Sequence, residues 1–350
     1  MNVAHAVVPA DADDPDAPSG GNVYDRRVLR GLRGWAVREV AAEGAWPRPD
    51  ETDRAALDRS LRSLPDGAAT VLDGLVACGV PEVVVPHARR LRTVVLLHMP
   101  LADETGVPAE SAAALEACER DVLRAASAVV TTSRWAARNA LARHDLAESR
   151  LHVVEPGTDP APLARGGDGA SRLLCVAAVT PRKGQAVLVE ALATVADLPW
   201  TCVCAGPVTR DPGYVDAVRE LVARRGLDDR VRLVGPRSGP ELAALYAEAD
   251  LTVLPSRGET YGMVLTESLA RGVPVLATDA GAVPETLGEG PGLLVPPGDR
   301  GAFASALRRW LTDGDLRRGL KGSAVQRRGS LRSWADASRE LRGVLEHVMS

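Results

Sequence analysis

No apolar run in this sequence of 350 residues approaches the ~18 residues that a membrane-spanning helix needs, so we predict no transmembrane segment. Lysine is almost missing, since Lys183 and Lys321 are the only lysines among 42 basic residues. So strong a preference for arginine is typical of a compositional bias of the source genome, and we assign the arginines no common function. The 46 acidic residues bring the net charge to −4, which excludes a strongly basic nucleic-acid-binding protein.

Cysteine is scarce, and its number is odd. The five cysteines are Cys78, Cys118, Cys175, Cys202 and Cys204. No two of them form a Cys-x-x-Cys pair, which favours reduced, buried thiols and a cytoplasmic protein. The first residues also lack the basic start of a secretion signal, and four aspartates follow between positions 11 and 16. We therefore predict no signal peptide.

Signatures of several enzyme classes are missing as well. The chain contains neither a G-x-S-x-G nucleophile motif nor a Walker loop, so a hydrolase or a kinase would lack its residues. The six histidines show no metal-ligand spacing. Asp11-Ala12-Asp13 spells a D-x-D motif, but further acidic residues surround it, and we interpret it as a solvated loop. We predict no metal and no other cofactor.

Short apolar runs alternate with amphipathic segments along the chain. The predicted strands cover residues 3–9, 71–75, 92–97, 128–131, 151–154, 173–178, 200–205, 231–234, 251–254, 273–277 and 292–295. The predicted helices cover residues 23–35, 112–126, 134–143, 185–195, 214–225, 240–249, 262–271, 302–310 and 331–348, and residues 10–22 are predicted as a loop. Such alternation is typical of α/β proteins whose parallel sheets are covered on both faces.

A break in this pattern indicates two domains. Residues 156–169 contain three prolines and four glycines, which is the composition of a linker. We predict an N-terminal domain over residues 1–165 and a C-terminal domain over residues 170–330. The last segment, 331–350, is predicted as a helix that packs back toward the first domain. Two doubly wound, Rossmann-like α/β domains facing each other across a central cleft are the simplest arrangement.

The most informative segment covers residues 249–285. A buried strand is followed by a loop with Glu259, and then by a helix whose first amides, at Gly262, Met263 and Val264, have no partner within the helix. With the helix dipole, these amides form an anion site that suits a diphosphate. Glu259 and Glu267 would flank that anion and accept hydrogen bonds from the vicinal hydroxyls of a sugar or ribose.

The spacing of the two glutamates is weak evidence when taken alone. About one such pair is expected by chance in this composition, and Glu43 and Glu51 form one. Two solvated surface glutamates are therefore the alternative interpretation. The order of strand, Gly258-Glu259, Gly262 and helix makes the functional interpretation the stronger one.

This segment resembles the E-x7-E region of the retaining glycosyltransferases of family 4, which have the GT-B fold. Other parts of the chain are similar to further landmarks of that family, in the same order. These are Ser19-Gly20-Gly21-Asn22, His98, Thr131-Thr132-Ser133, Pro156-Gly157-Thr158-Asp159, the stretch VAAVTPRKG at 176–184, and Gly281-Ala282-Val283-Pro284-Glu285. The resemblance covers nearly the whole chain and is strongest from residue 172 to residue 300.

The resemblance implies that residues 1–165 form the acceptor-side domain and residues 170–330 the nucleotide-sugar-binding domain. It also implies roles for individual residues. Glu259 would contact hydroxyls of the transferred sugar, and Glu267 would contact the ribose. Lys183 would neutralise the diphosphate, and its alternative is a surface lysine. The family's arginine lies five residues before the lysine, where this chain has Ala178, so Arg182 either replaces it or points into solvent. His98 would act near the anomeric carbon, although a lone histidine at a strand end is more often structural.

The donor-binding set completes this assignment. Its predicted members are Gly20, Gly21, Arg182, Lys183, Gly235, Glu259, Tyr261, Gly262, Met263, Val264 and Glu267, and the predicted catalytic residues are His98, Arg182, Lys183 and Glu259. A glycine pair after a strand lets the backbone approach a phosphate, but Gly20-Gly21 is equally consistent with a flexible turn.

The expected function is that of a retaining hexosyltransferase. It would move a sugar from a nucleotide-sugar donor to a hydroxyl or amine of a small-molecule or lipid-linked acceptor, by front-face displacement and without a metal. We expect no nucleic-acid partner and no membrane association. A nucleotide-sugar 2-epimerase on the same fold and a non-catalytic protein that binds sugar nucleotides are the alternatives.

Overall fold

The computed structural model describes residues 2–103 and 107–350. Its strands are β1 (Asn2–Pro9), β2 (Trp35–Ala42), β3 (Ala69–Asp73), β4 (Arg92–Leu97), β5 (Ala128–Thr131), β6 (Leu151–Val153), β7 (Arg172–Val176), β8 (Thr201–Ala205), β9 (Val231–Gly235), β10 (Leu251–Leu254), β11 (Val275–Thr278) and β12 (Gly292–Val295).

Helices connect these strands. They are α1 (Gly20–Arg30), α2 (Glu51–Arg62), α3 (Gly74–Ala77), α4 (Pro81–Ala88), α5 (Ala109–Ala125), α6 (Arg134–His144), α7 (Gln185–Ala193), α8 (Pro212–Arg224), α9 (Gly239–Glu248), α10 (Met263–Leu269), α11 (Val283–Leu287), α12 (Arg300–Thr312), α13 (Gly314–Arg328) and α14 (Trp334–Met349). None of the described helices combines the length and the apolar character that crossing a membrane requires.

The chain divides into two compact units. The first comprises Met1–Asp13, Ser19–Gly157 and Arg332–Ser350, and the second comprises Asp14–Pro18 and Thr158–Leu331. The division after Gly157 falls in the stretch predicted as a linker, and the terminal helix α14 belongs to the first unit.

The first unit contains one parallel sheet of six strands in the order β2-β1-β3-β4-β5-β6. Both of its faces are buried under apolar side chains. One face packs beneath α2, α4 and α5, and the other packs beneath α1 and α14. The prediction of a covered parallel sheet is confirmed here.

The second unit contains a parallel sheet in the order β12-β11-β10-β7-β8-β9. The chain winds outward from β7 in one direction and from β10 in the other, which is the doubly wound arrangement. Its topological switch point lies between β7 and β10. Ligands of such sheets bind at the carboxyl ends of the strands that flank this point.

The structure corrects the prediction for residues 10–42. Helix α1 begins at Gly20, where the Ser19 hydroxyl accepts a hydrogen bond from the Asn22 amide at 3.1 Å, and so the predicted loop ends earlier. The helix ends at Arg30 and not at Trp35. Trp35 instead opens β2, an edge strand that the prediction missed, and pairs with Asn2 of β1. Helices α2, α3, α4, α11 and α13 were also not predicted.

Candidate functional site

The loop after β7 brings a basic pair to the switch point of the second sheet. A single 3-10 turn, Pro181–Lys183, follows the strand and ends at Gly184. Gly184 has a φ of +73°, and a Cβ there would lie 2.2 Å from the Pro255 carbonyl oxygen. Only glycine therefore lets this turn pack against the loop that follows β10.

Lys183 and Glu259 form an ion pair at this point. The Lys183 ammonium donates to Glu259 Oε1 at 2.6 Å, and the Ser256 hydroxyl donates to the same oxygen at 2.6 Å. Arg182 donates from Nη1 to the Gly258 carbonyl at 3.0 Å, so its side chain lies along the same loop. Two predicted site residues, separated by 76 positions in sequence, thus lie in direct contact.

Burial and charge set the ionisation of this pair. The Glu259 side chain is 8% exposed and that of Lys183 is 17% exposed. Burial would raise the pKa of the Glu259 carboxyl, but the charges of Lys183 and Arg182 outweigh it and hold this pKa below its ordinary value. Burial lowers the pKa of the Lys183 ammonium, and Arg182 adds to that effect against the attraction of Glu259. Glu259 is therefore an ionised hydrogen-bond acceptor at neutral pH.

The turn at residues 281–285 supports the backbone of Glu259. The Ala282 amide donates to the Glu259 carbonyl oxygen at 2.8 Å. Gly281 has a φ of +64°, and a Cβ at this position would lie 2.2 Å from that oxygen. Below the loop, the Thr278 hydroxyl donates to the Ser256 carbonyl. The main chain of the loop is thus held from the adjacent strand β11 and the turn that follows it.

Glu267 belongs to a separate hydrogen-bond network. Helix α10 begins after Gly262, whose φ is +83°, and the N-cap residue offers no side-chain hydrogen bond. Glu267 lies in the second turn, where its Oε2 accepts from the Tyr246 hydroxyl at 2.9 Å. The Arg271 guanidinium lies 4.6 Å from the Tyr246 ring centre, and burial raises the pKa of the Glu267 carboxyl. The prediction that both glutamates flank one anion stays a prediction.

The other predicted donor-binding residues of this unit lie at strand ends, in loops or at the start of a helix. Tyr261 is buried in the loop before α10, and Gly235 ends β9 with a φ of +74°. Met263 and Val264 open α10 and are partly exposed. Ala178, which stands in place of the expected arginine, accepts a hydrogen bond on its carbonyl from the Gln185 side chain at 2.9 Å.

A second cluster lies in the first unit, at the carboxyl ends of β3 and β4. His98 follows β4, and its Nε2 lies 2.8 Å from Asp25 Oδ1 and 3.6 Å from Asp73 Oδ2. Asp25 and Asp73 are each 2% exposed. Gly21 is next to the ring, because a Cβ at Gly21 would lie 3.0 Å from His98 Cδ2. The structure thus brings the predicted Gly21 and His98 together. Gly20 and Gly21 open helix α1 and do not lie in the predicted loop.

The carboxylates change the ionisation of this cluster. Burial alone would lower the pKa of His98, but the Asp25 carboxylate outweighs it and raises the pKa to about 9. Burial, with the charge of Asp25, raises the pKa of Asp73 to about 8. Within the described residues, these three side chains are the one group of three whose ligand atoms lie close enough to hold a metal. Nε2 makes a direct hydrogen bond to a carboxylate, so we interpret the group as a hydrogen-bonded cluster, and metal independence stays a prediction.

Four residues of these two clusters were not singled out from the sequence. They are Asp25, Asp73, Tyr246 and Ser256. Asp25 stands three and four residues before Val28 and Leu29, on the buried face of α1. Asp73 ends strand β3, whose other residues are apolar except for Thr70. An aspartate within an apolar pattern was therefore the feature of the sequence that could have indicated Asp25 and Asp73. Tyr246 and Ser256 carried none.

Comparison with known proteins shows which proteins the chain is similar to. Residues 170–313 match the family model described as Glycosyl transferases group 1. D-inositol 3-phosphate glycosyltransferase of Corynebacterium glutamicum is 27% identical over 277 residues, which cover 73% of this chain and 65% of that protein. The enzyme of the same name from Salinispora tropica is 32% identical over 248 residues, covering 64% of this chain and 51% of that protein. The aligned part of the chain thus spans between half and two thirds of these curated relatives.

Solved structures resemble the chain over its full length. Sucrose-phosphate synthase from Thermosynechococcus elongatus superposes with a TM-score of 0.83 at 21% identity and 99% coverage of both chains. HepE of Anabaena in complex with UDP-glucose superposes with a TM-score of 0.79 at 17% identity, over 99% of this chain and 100% of that one. The chain therefore has the GT-B fold, as predicted. It resembles the group 1 glycosyltransferases, and the predicted family resemblance is confirmed.

Proposed function

We propose that the protein is a retaining, metal-independent glycosyltransferase that uses a nucleotide-sugar donor. The observation that carries this proposal is the Lys183–Glu259 pair at the switch point of the second sheet. A cation and an ionised carboxylate in contact offer one partner for a diphosphate and one for sugar hydroxyls. The match of residues 170–313 to a glycosyltransferase family supports the same assignment.

In this proposal, Lys183 and Arg182 stabilise the leaving group. The bond between the anomeric carbon and the diphosphate oxygen breaks, and the acceptor oxygen or nitrogen forms a bond to that carbon from the same face. The departing phosphate oxygen takes the acceptor proton. Negative charge grows on the diphosphate as its bond breaks, and a cation already placed there lowers the barrier. The α10 amides at Gly262, Met263 and Val264 are proposed to contact the same phosphates.

The two glutamates divide the recognition of the donor. Glu259, next to Lys183, is proposed to accept hydrogen bonds from hydroxyls of the transferred sugar. Glu267, which Tyr246 holds within α10, is proposed to accept them from the ribose. His98 in the first unit is proposed to contact the transferred group or the acceptor.

The first test is donor turnover by the intact protein. A panel of nucleotide sugars, beginning with UDP-glucose, is incubated with and without an acceptor panel that includes inositol phosphates, since the relatives' names suggest both. We expect nucleoside diphosphate release that depends on the acceptor, persists in excess chelator and gives a product of retained configuration by NMR. A 2-epimer formed without acceptor, or donor binding without turnover, would contradict the proposal.

The two lysines of the chain supply a matched pair of variants. Lys183→Ala is expected to lower turnover at least 100-fold, because a charge-assisted contact to the leaving group is lost (~2.7–4 kcal/mol). Lys321 is 38% exposed, in α13, with its Nζ 3.9 Å from Asp250. Lys321→Ala removes the same charge and is expected to leave turnover within about twofold. If both variants lower turnover equally, the effect comes from the loss of one positive charge in the protein and not from a contact of Lys183 with the donor.

A further inference from the structure

His98 is held on several sides by the first unit. Asp25 contacts Nε2, the Tyr24 ring centre lies 5.3 Å from the His98 ring centre in an edge-on arrangement, and Gly21 packs against Cδ2. Tyr24 is itself fixed, because its hydroxyl donates to the Val154 carbonyl at 2.9 Å. Among the described residues, none pairs with Nδ1. The ring is thus held in place by its neighbours, and its Nδ1 is left for a hydrogen bond with a ligand.

The oxygens of the two carboxyl groups beside Nε2 are buried and need hydrogen-bond donors. Asp25 Oδ1 accepts from His98, but Asp25 Oδ2 is buried and lacks a donor when Asp73 is ionised. The hydrogen bond between the Asp73 and Asp25 side chains needs a proton, and burial together with the charge of Asp25 favours that proton on Asp73. Asp73 Oδ1 is meanwhile occupied by the Leu75 amide at 2.6 Å and the Val76 amide at 3.3 Å. At neutral pH the protonated Asp73 therefore adds no charge beside the hydrogen bond between Asp25 and His98.

We propose that Asp25 is a positioning residue, which holds His98 doubly protonated so that Nδ1–H donates a hydrogen bond to a ligand oxygen. A neutral histidine with its proton on Nε2 would instead offer Nδ1 as an acceptor and act as a base. The buried carboxylate at 2.8 Å favours the charged form, in which both ring nitrogens donate. The titratable groups that contact the ring are Tyr24 and Asp25 of α1 and Asp73 at the end of β3.

The ligand atom that suits this donor is an oxygen with lone pairs, either a sugar hydroxyl or an anionic phosphate oxygen. A base at this position would remove the acceptor's proton, whereas a donor leaves that proton to the departing phosphate. The protonation state of His98 is independent of what the protein catalyses, and only its consequence for turnover rests on the proposed function.

The test is an NMR titration of the His98 ring in the intact, 15N-labelled protein, with its signals assigned by their loss in His98→Gln. We expect wild-type His98 to titrate near pH 9. Asp25→Asn keeps the shape and removes the charge, and it should lower the titration midpoint by about two units, toward 6.5. Asp73→Asn is the matched control, since Asp73 lies 3.6 Å from Nε2 against 2.8 Å for Asp25, and it should lower the midpoint by less than Asp25→Asn does.

Three outcomes would overturn the proposal. The first is a wild-type midpoint at or below 6.5, which needs no variant and so remains decisive if Asp25→Asn does not fold. The second is an equal shift in Asp25→Asn and Asp73→Asn. The third is selective broadening of the His98 signals by micromolar Mn²⁺, which would show a metal site instead of a hydrogen-bonded cluster.

The pH dependence of turnover separates this proposal from the proposed function. In wild type, kcat/KM should fall as the pH rises through about 9, because the imidazolium loses its proton. In Asp25→Asn this falling limb should move toward pH 6.5, so activity is rescued at low pH. A high NMR midpoint with no turnover on any donor would reject the proposed function and leave the role of Asp25 intact.

Discussion

At the scale of residues, the main feature is that two groups proposed to bind the donor are paired with each other in the free chain. Lys183 satisfies Glu259, and Ser256 donates to the same oxygen. A buried charge is tolerated only when it is paired and hydrogen-bonded, which this arrangement achieves without a ligand. In the proposed complex, phosphate oxygens must therefore replace Glu259 as the partner of Lys183, and sugar hydroxyls must replace Lys183 as the partner of Glu259.

This exchange predicts different consequences for the two glutamates. Glu259→Gln should weaken binding of the intact donor about 10- to 150-fold, because a charged hydrogen bond is worth ~1.5–3 kcal/mol. It should not weaken binding of the bare nucleoside diphosphate, which makes no contact with Glu259. Glu267→Gln should weaken both ligands to a similar extent, since both contain the ribose. Calorimetry with each ligand on each variant measures the four changes.

Two results would contradict this division of roles. If Glu259→Gln weakens the bare diphosphate as much as the donor, Glu259 does not contact the transferred sugar. If neither variant changes either affinity, these positions resemble Glu43 and Glu51, a pair with the same spacing and no proposed role.

The sequence patterns brought Lys183 and Glu259 together better than they did the residues around His98. Lys183 and Glu259 stand in short motifs that follow clear strands, so position along the chain was enough to place them together. Asp25 and Asp73 belong to no motif. They meet His98 because β1, β3 and β4 are neighbours in the sheet, and that order does not follow from local periodicity.

At the scale of elements, buried central strands were predicted most accurately. The bounds of the interior strands β4, β5 and β10 agree with the prediction to the residue, because their mainly apolar runs end in polar or turn residues. The bounds of the edge strand β12 agree as well. Strand β2 was missed because it is an edge strand whose middle residues are exposed, so that its pattern is not apolar. Helix α2 was missed for a related reason, since only Leu57 and Leu61 are buried among its twelve residues.

Helix α14 makes a testable contribution to the first unit. Leu341 is fully buried among side chains of α1 and the central strands, and a capping box at Ser333 and Asp336 fixes the start of the helix. Leu341→Ala should lower the free energy of unfolding by ~2–5 kcal/mol, through lost burial and the cavity left behind. Met349→Ala, at a position that is 46% exposed, is the control and should change it by less than about 0.5 kcal/mol. Urea denaturation measures both, and equal midpoints would show that the helix does not stabilise this unit.

At the scale of the whole molecule, each unit has its own sheet and its own buried core. Each core contains enough apolar surface for a compact domain, and the proposed diphosphate and ribose contacts all come from the second unit. Binding of a nucleoside diphosphate is thus expected to stabilise one unit directly.

Hydrogen exchange of the full chain tests this expectation. A saturating nucleoside diphosphate should slow amide exchange in residues 179–184 and 255–264, because the ligand suppresses local opening of the segments that contact it. Exchange in the edge strand β2 should change by less than about twofold. Protection that appears in β2 but not in residues 255–264 would show that the nucleotide binds the first unit, and would contradict the proposed site.

The Lys183–Glu259 pair also bears on selectivity among the phosphates that compete for such a site. An orthophosphate ion that takes Lys183 leaves the Glu259 carboxylate buried, with only the Ser256 hydroxyl as its partner. A donor that carries both phosphate and hydroxyls satisfies both side chains at once. If the site binds the donor as proposed, the carboxylate competes with small anions for Lys183. Phosphates without a sugar are then expected to bind more weakly, because their binding leaves a charge unpaired.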